Sequence, residues 1–213
     1  MTDLWSERAE AYRYAPEQRE GADLDLIVRW AEGSKTALDV ATGGGHVTRR
    51  LREAGLEVVS SDPAPGMRPD VICRAEDLPF AADSFDLVVT RIAPHHFDDV
   101  PAAIAEMARI SRNLVVVEDT LYVSAAVEEA EILRDPTHVR SYTEAEWRTF
   151  LEEAGLVVEE VESFEKRHPL EDWLARTDTA EDDAVRVREL LAGQIEDGEF
   201  VDTKLVIRAR KAA

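Results

Sequence analysis

Apolar residues along this chain gather into short runs of β-branched and aliphatic side chains, and between those runs they recur at helical spacing. The runs predict strands at about Thr36 to Val40, Leu56 to Asp62, Asp70 to Cys73, Asp83 to Arg91 and Asn113 to Asp119. Helices are predicted over Ser6 to Tyr14, Leu24 to Trp30, His46 to Ala54 and Pro101 to Ile110, with Asp23 or Asp25 capping the second and Gly55 closing the third. Strands alternating with helices predict a mostly parallel sheet covered on both faces. Downstream come a helix from Ser124 to Leu133, a loop from Arg134 to Tyr142, and a helix opened by Thr143-Glu144-Ala145-Glu146 and stopped by Gly155. Val157 to Phe164 and Thr203 to Arg210 alternate as strands around a helix at about Asp183 to Ala192. Pro63, Pro65, Gly66 and Pro69 argue against the crossover helix expected after the second strand, so that connection is reduced. No repeat, linker or low-complexity tract is visible, and residues 1–213 read as one α/β domain.

Composition narrows the choice of partner. With 45% hydrophobic residues the chain can bury a substantial core, and 45 acidic against 25 basic residues give a formal charge of -20. That field repels phosphate backbones and anionic lipid surfaces, so neither nucleic acid nor membrane is the expected partner. The acids are spread along the chain and arginine outnumbers lysine, a pattern that fits either adaptation to high salt or an ordinary acidic protein. Cys73 is the only cysteine, which forbids an internal disulfide and suits a reducing compartment. Met1 to Arg8 hold no basic region followed by an apolar run, and no later segment is apolar enough to span a bilayer. A cytoplasmic protein is expected; its oligomeric state is not encoded in any feature of the sequence.

The candidate chemistry centres on Leu38-Asp39-Val40-Ala41-Thr42-Gly43-Gly44-Gly45-His46, a strand running into a glycine turn that opens a helix. Backbone amides and a helix N-terminus there suit a nucleotide-like ligand. A dinucleotide fingerprint would need a third glycine where Thr48 stands, which weakens a nicotinamide oxidoreductase reading. Asp62 closes the second predicted strand. In an open parallel sheet, ligands sit beyond the carboxyl ends of the strands, and a carboxylate can accept both hydrogen bonds of a ribose diol.

The spacing Asp39-x-Ala41-x-Gly43-x-Gly45 resembles the acidic-then-glycine signature of class I S-adenosylmethionine-dependent methyltransferases, with Ala41 in place of a usual glycine. Asp62, then Ala75-Glu76-Asp77-Leu78-Pro79-Phe80, then Phe85-Asp86-Leu87-Val88 follow in that family's order. About Thr36 to Lys211 is similar to the methyltransferase type 11 group, which includes ubiquinone and menaquinone biosynthesis C-methyltransferases. His95-His96-Phe97 with Leu133 to Arg140 more closely resembles small bacterial members of unassigned substrate. The resemblance implies a Rossmann-like methyltransferase fold, a mostly parallel seven-stranded sheet whose antiparallel last strand inserts beside the sixth. It implies S-adenosylmethionine as cofactor, with Asp39, Ala41, Gly43 and Gly45 around its methionine portion, Asp62 on the ribose, Ala75 and Glu76 lining the adenine, and Arg91 with Ile92 closing over the methyl-bearing side. Arg74 stands where many relatives carry an acid, a role left to Glu76 or Asp77, and the prolines after Asp62 put Met67 in doubt as a cofactor contact.

Methyl transfer from a sulfonium depends mostly on placing the nucleophile, and a hydroxyl or acidic-carbon acceptor also profits from a base. His95 and His96 leave a strand at its carboxyl end and lead the candidates, followed by His138 and Tyr142, while Glu118 and Asp119 end the fifth strand, where they can face the acceptor. Adjacent histidines lack the helical spacing of a joint metal site, so no metal is expected. Residues 1–20 and 121–145 are candidate cover for a small-molecule acceptor, and aromatics at Trp5, Tyr12, Tyr14, Tyr122, Tyr142 and Trp173 suggest that it is mostly apolar. A non-catalytic S-adenosylmethionine-binding sensor or partner subunit is the alternative from a different class.

Overall fold

The computed structural model describes residues 4–14 and 16–212. In chain order the elements are α1 (Leu4–Tyr14), α2 (Pro16–Arg19), α3 (Ala22–Trp30), β1 (Thr36–Val40), α4 (His46–Glu53), β2 (Glu57–Asp62), β3 (Val71–Ile72), β4 (Phe85–Arg91), α5 (Val100–Ile110), β5 (Ser111–Thr120), α6 (Ala125–Arg134), α7 (Glu144–Glu153), β6 (Leu156–Pro169), α8 (Leu170–Ala175), α9 (Glu181–Leu190), β7 (Ile195–Glu196) and β8 (Glu199–Lys211). The sheet runs β3-β2-β1-β4-β5-β8-β6, and the two-residue β7 adds an eighth strand that pairs only with β8. Strands β1 to β5 pair in parallel, while β8 runs antiparallel to both β5 and β6, as the resemblance implied.

Alternation along the strands divides the core between two faces. Leu38, Val88, Val115 and Ile207 pack with Ile104, Met107, Trp147 and Leu151 of α5 and α7. Ala37, Leu87, Val89 and Val116 pack on the other face with Leu24, Ile27, Trp30, Val47 and Leu51 of α3 and α4. After β2 the prolines permit only a 3-10 turn at Pro65–Met67 before β3, which is the reduced crossover expected from the sequence. Strand order reverses between β1 and β4, so the carboxyl ends of β1, β2 and β4 open a crevice at a topological switch point. Among the described residues, no helix is long and apolar enough to cross a membrane.

Two expectations need correction. Neither Asp23 nor Asp25 caps α3: the cap is Gly21, and both acids stand within the first turn. Asp23 is instead drawn into a buried ion cluster, so α3 is more than a covering helix. Strands β6 and β8 also run further than the alternation indicated, to Pro169 and from Glu199. Their projecting ends carry Glu165-Lys166-Arg167-His168, which pair across to Val201–Thr203 and Phe200 without an apolar signal of their own. Phe200 anchors a satellite core with Val127 of α6, Trp173 of α8 and Val187 of α9.

Candidate functional site

The turn from β1 into α4 is braced from within. The carboxylate of Asp39 accepts from Thr42 Oγ1 at 2.6 Å, from the Thr48 backbone N–H at 3.0 Å and from Thr48 Oγ1 at 2.6 Å. Burial raises the Asp39 pKa, and those three donors work against the rise. Thr48, which spoils a dinucleotide fingerprint, is therefore what holds the acid in place. Gly43 and Gly45 take positive φ, and so does Ala41 at 55°, a conformation in which its Cβ costs about 1–2 kcal/mol. At the end of β2, Asp62 Oδ2 accepts from the Gly43 N–H at 3.0 Å and Oδ1 from the Ala64 N–H at 2.9 Å. The glycine bend and the strand-end acid are thus tied directly together.

Both border a cavity of about 510 Å³ at the switch point. Asp39, Ala41, Gly43 and Asp62 line it from the bend and β2, Ala75 and Glu76 from the segment before β4, and Arg91, Ile92, Phe97 and His96 from β4 and the turn after it. Trp5, Tyr12 and Gln18 line it near the N-terminus, and Pro136, Thr137 and Val139 in the loop after α6. The cavity therefore gathers eight of the nine cofactor-site residues named from sequence. Gly45 is the exception, serving as the left-handed cap of α4. Met67 also lines the cavity, despite the prolines around it, and Arg74 turns its guanidinium to Asp98 at 2.6 Å and Glu76 at 3.4 Å. Ile92, a β-branched residue at φ 51°, is a strained wall position of the kind that clusters at functional sites.

Gly44, His46 and Gly66 were not legible as site residues, because their role is to receive α1. A Cβ on Gly44 would lie 2.6 Å from Tyr12 O and 2.7 Å from His46 Nε2, and one on Gly66 would lie 2.5 Å from Ser6 Cα. His46 Nε2 bonds Tyr12 O at 3.0 Å, and the Gly66 N–H donates to Ser6 Oγ at 2.7 Å. Ala9 packs with Ala64 and Met67, and Arg8 reaches Asp135 at 3.1 Å. Helix α1 is pinned over the bend and the post-β2 turn.

The candidate bases separate in space. His96 lines the large cavity; its Nδ1–H donates to Thr137 O at 2.9 Å, leaving Nε2 unprotonated, and its ring meets Trp5 edge-on at 4.5 Å. Burial pushes its pKa well below the usual histidine value, which keeps the ring neutral. His95 and His138 are not on that wall. His95 Nδ1 pairs with Asp119 Oδ1 at 2.5 Å, and His138 Nε2 with Glu128 Oε1 at 3.0 Å. Burial depresses His95 as well and raises Asp119 to about 7. Arg91 borders the cavity, but its guanidinium is held between Asp23 and Glu118, with Lys166 on Asp23 at 2.7 Å. Of the aromatics, Trp5 and Tyr12 line the cavity, Tyr142 packs on Trp147 and Phe150, Trp173 belongs to the satellite core, and Tyr14 is exposed. A second cavity of about 60 Å³ shares Ile92 and His96 with the first and includes His95.

Comparison with known proteins agrees with this fold. Residues 38–114 match the family model described as a methyltransferase domain. The methyltransferase YcgJ of Bacillus subtilis is 30% identical over 203 residues, covering 84% of this chain and 80% of that protein. YafE of Escherichia coli is 37% identical over 159 residues, 65% of this chain and 75% of its own. The solved structure of BH2331 from Bacillus halodurans superposes with a TM-score of 0.80 at 27% identity, covering 91% of this chain and all of that one. The chain belongs to the class I methyltransferase family, in its type 11 group.

Proposed function

We propose that this chain transfers a methyl group from S-adenosylmethionine to a small-molecule acceptor. The observation that carries the proposal is the Gly43–Asp62 hydrogen bond, which sets the glycine bend and a strand-end carboxylate on one cavity at the switch point. A volume of about 510 Å³ lies within the usual range of roughly 300–1,000 Å³ for small-molecule sites. Each oxygen of Asp62 accepts one backbone N–H, which fixes the carboxylate at the cavity edge, and a carboxylate can accept the hydrogen bonds of a ribose diol. The bend at Ala41 to Gly44 would hold the methionine portion, Asp62 the ribose, and Ala75 with Glu76 the adenine, while Arg91 and Ile92 would border the methyl-bearing side.

S-adenosylmethionine, when bound, supplies an electrophilic methyl group on a sulfonium. The chain's part is placement and proton handling. Trp5, Tyr12 and the loop bearing Pro136 to Val139 exclude water from the cavity. Thr137 fixes the His96 tautomer, so that Nε2 can take a proton from an acceptor hydroxyl or ammonium. In this reading residues 1–213 act as one domain, with 1–20 and 121–145 covering the acceptor, and the net charge of -20 disfavours a nucleic-acid acceptor.

The test is release of S-adenosylhomocysteine from S-adenosylmethionine across a panel of small hydroxyl, amine and carbon acceptors, with His96→Ala in parallel. Turnover on at least one acceptor, reduced about a hundredfold or more in the variant, is expected for a general base. Tight cofactor binding with no turnover on any acceptor would overturn the transferase reading in favour of a binding protein.

A further inference from the structure

The 60 Å³ cavity beside the main one is a polar annex, enclosed by the projecting ends of β6 and β8, by α6 and by α8. It has room for about two water molecules, or for the head group of something larger. We propose that the annex seats the polar head group of the methyl acceptor, and that this head group is a hydrogen-bond donor, a hydroxyl or a primary amine. The inference rests on the methyltransferase reading above and adds the chemistry of the substrate.

The argument starts from the ribbon. Register pairs Lys166 with Asp202, Phe164 with Lys204 and His168 with Phe200, so Lys166, His168, Asp202 and Lys204 share one face, and all four line the annex. Asp202 Oδ2 takes both available partners, Lys204 Nζ at 2.7 Å and His168 Nε2 at 3.2 Å. Its other oxygen, Oδ1, is buried with no partner, and so is His168 Nδ1. The two residues are only 5% and 7% exposed. A carboxylate oxygen can only accept, so Asp202 Oδ1, on a residue that lines the annex, is an acceptor left unfilled.

Lys166, Lys204, Arg134 and Arg176 line the annex, and the first three are engaged by neighbouring side chains. Lys204 also donates to Thr120 Oγ1 at 2.6 Å, Lys166 is paired with Asp23 at 2.7 Å, and Arg134 with Glu131 at 3.1 Å. A carboxylate or phosphate entering here would face Asp202 Oδ1 without displacing any of those pairs, whereas an O–H or N–H group completes what the ribbon leaves open. The position also suits transfer. Ile92 and His96 border both cavities, so a group held in the annex lies beside the proposed base and the proposed cofactor cavity. An acceptor recognised in this way has a polar end, which revises the mostly apolar molecule suggested by the aromatics.

The test uses full-length protein and three fragments small enough for the annex, methylammonium, ethanol and acetate. Binding is read from ring ¹⁵N shifts of His168 and from saturation transfer to the fragment, with S-adenosylhomocysteine affinity measured on the same samples. The proposal expects methylammonium or ethanol to shift His168 Nδ1 and acetate to leave it unmoved. Asp202→Asn, which turns one carboxylate oxygen into a donor, should weaken the donor fragment about tenfold while leaving S-adenosylhomocysteine affinity within about twofold. Should that variant fold poorly, the contrast between fragments on the unaltered protein decides alone. Acetate binding in preference, or no response of His168 to either donor, overturns the annex assignment. Loss of S-adenosylhomocysteine binding by the unaltered protein would instead overturn the cofactor reading, so the two failures are distinguishable.

Discussion

Replacing Gly44 with alanine should loosen α1 without dismantling the sheet. The added Cβ would sit 2.6 Å from Tyr12 O, 3.0 Å from Tyr12 C and 2.7 Å from His46 Nε2. The histidine can rotate away, but the Tyr12 carbonyl is helix backbone, so α1 must move by several tenths of an ångström or more. Overpacking of this kind costs about 1–3 kcal/mol. It acts on a docking held by the Ser6–Gly66 and His46–Tyr12 hydrogen bonds, the Arg8–Asp135 pair and one small apolar cluster. Because Trp5 and Tyr12 line the cavity, the same penalty falls on the closed, ligand-covered state. Affinity for S-adenosylhomocysteine should therefore fall about 5- to 150-fold, at about 1.4 kcal/mol per factor of ten. Amide exchange in α1 should quicken by a comparable factor, while exchange in β1, β4 and β5 stays as it was. Gly45→Ala is the control. Its Cβ meets nothing within 4 Å, so its cost is confined to the positive φ of 77°, about 1–2 kcal/mol of global stability, with no selective effect on α1. Unchanged α1 exchange and affinity in Gly44→Ala would refute the claim that close approach at this glycine seats the helix.

Other consequences are simpler to check. Ala41→Gly removes a left-handed Cβ cost of about 1–2 kcal/mol and adds about 0.4–1 kcal/mol of unfolded-state entropy. Chemical denaturation should show stability equal to or up to about 1.6 kcal/mol above the parent, with cofactor affinity kept, and a clear loss would contradict the strain. Thr143 and Glu146 form a reciprocal capping box on α7, so Thr143→Ala should cost about 1 kcal/mol, or a melting shift of roughly 2–4 °C; an unshifted melt would argue against it. Burial raises the Asp119 carboxyl to about 7. Over the range from about 4 to about 7 the folded chain then keeps a proton that the unfolded chain has lost, so this group's contribution to stability declines as pH rises. Carboxyl ¹³C NMR should place its midpoint near 7, and Asp119→Asn should flatten that part of the stability profile. A midpoint near 4 would contradict the burial argument.

What the sequence disclosed, and what it withheld, follow from the range of the interactions. Asp39 to Gly45, Asp62 and the strands on either side of them were legible because the signal is local: a glycine turn after an apolar run, and an acid closing the next run. The Thr143 to Glu146 cap was local too. Gly44 and Gly66 are ordinary turn glycines in sequence, since what makes them necessary is a helix 32 and 60 residues away at Tyr12 and Ser6. The ends of β6 and β8 were missed because Glu165 to His168 carry no apolar alternation, and their partners are far off in sequence, Asp23 for Lys166 and Asp202 for His168. The sequence set His95 and His96 side by side ahead of His138. Only the fold puts His96 on the cavity and turns His95 to Asp119 and His138 to Glu128. Arg91 lies at the cavity edge, but its partners Asp23 and Glu118 come from α3 and β5, beyond any local pattern.

The central claim is that the glycine bend and the Asp62 carboxylate together hold one adenosyl ligand. Isothermal titration with S-adenosylhomocysteine, on the parent and on Asp62→Ala, tests it most directly. The substitution frees the Gly43 and Ala64 amides and removes two charge-assisted bonds to a ribose diol, worth about 1.5–3 kcal/mol each. The account predicts one site per chain in the parent and a loss of about a hundredfold or more in the variant. No binding to the folded parent, or equal affinity in a variant that remains folded, would contradict it.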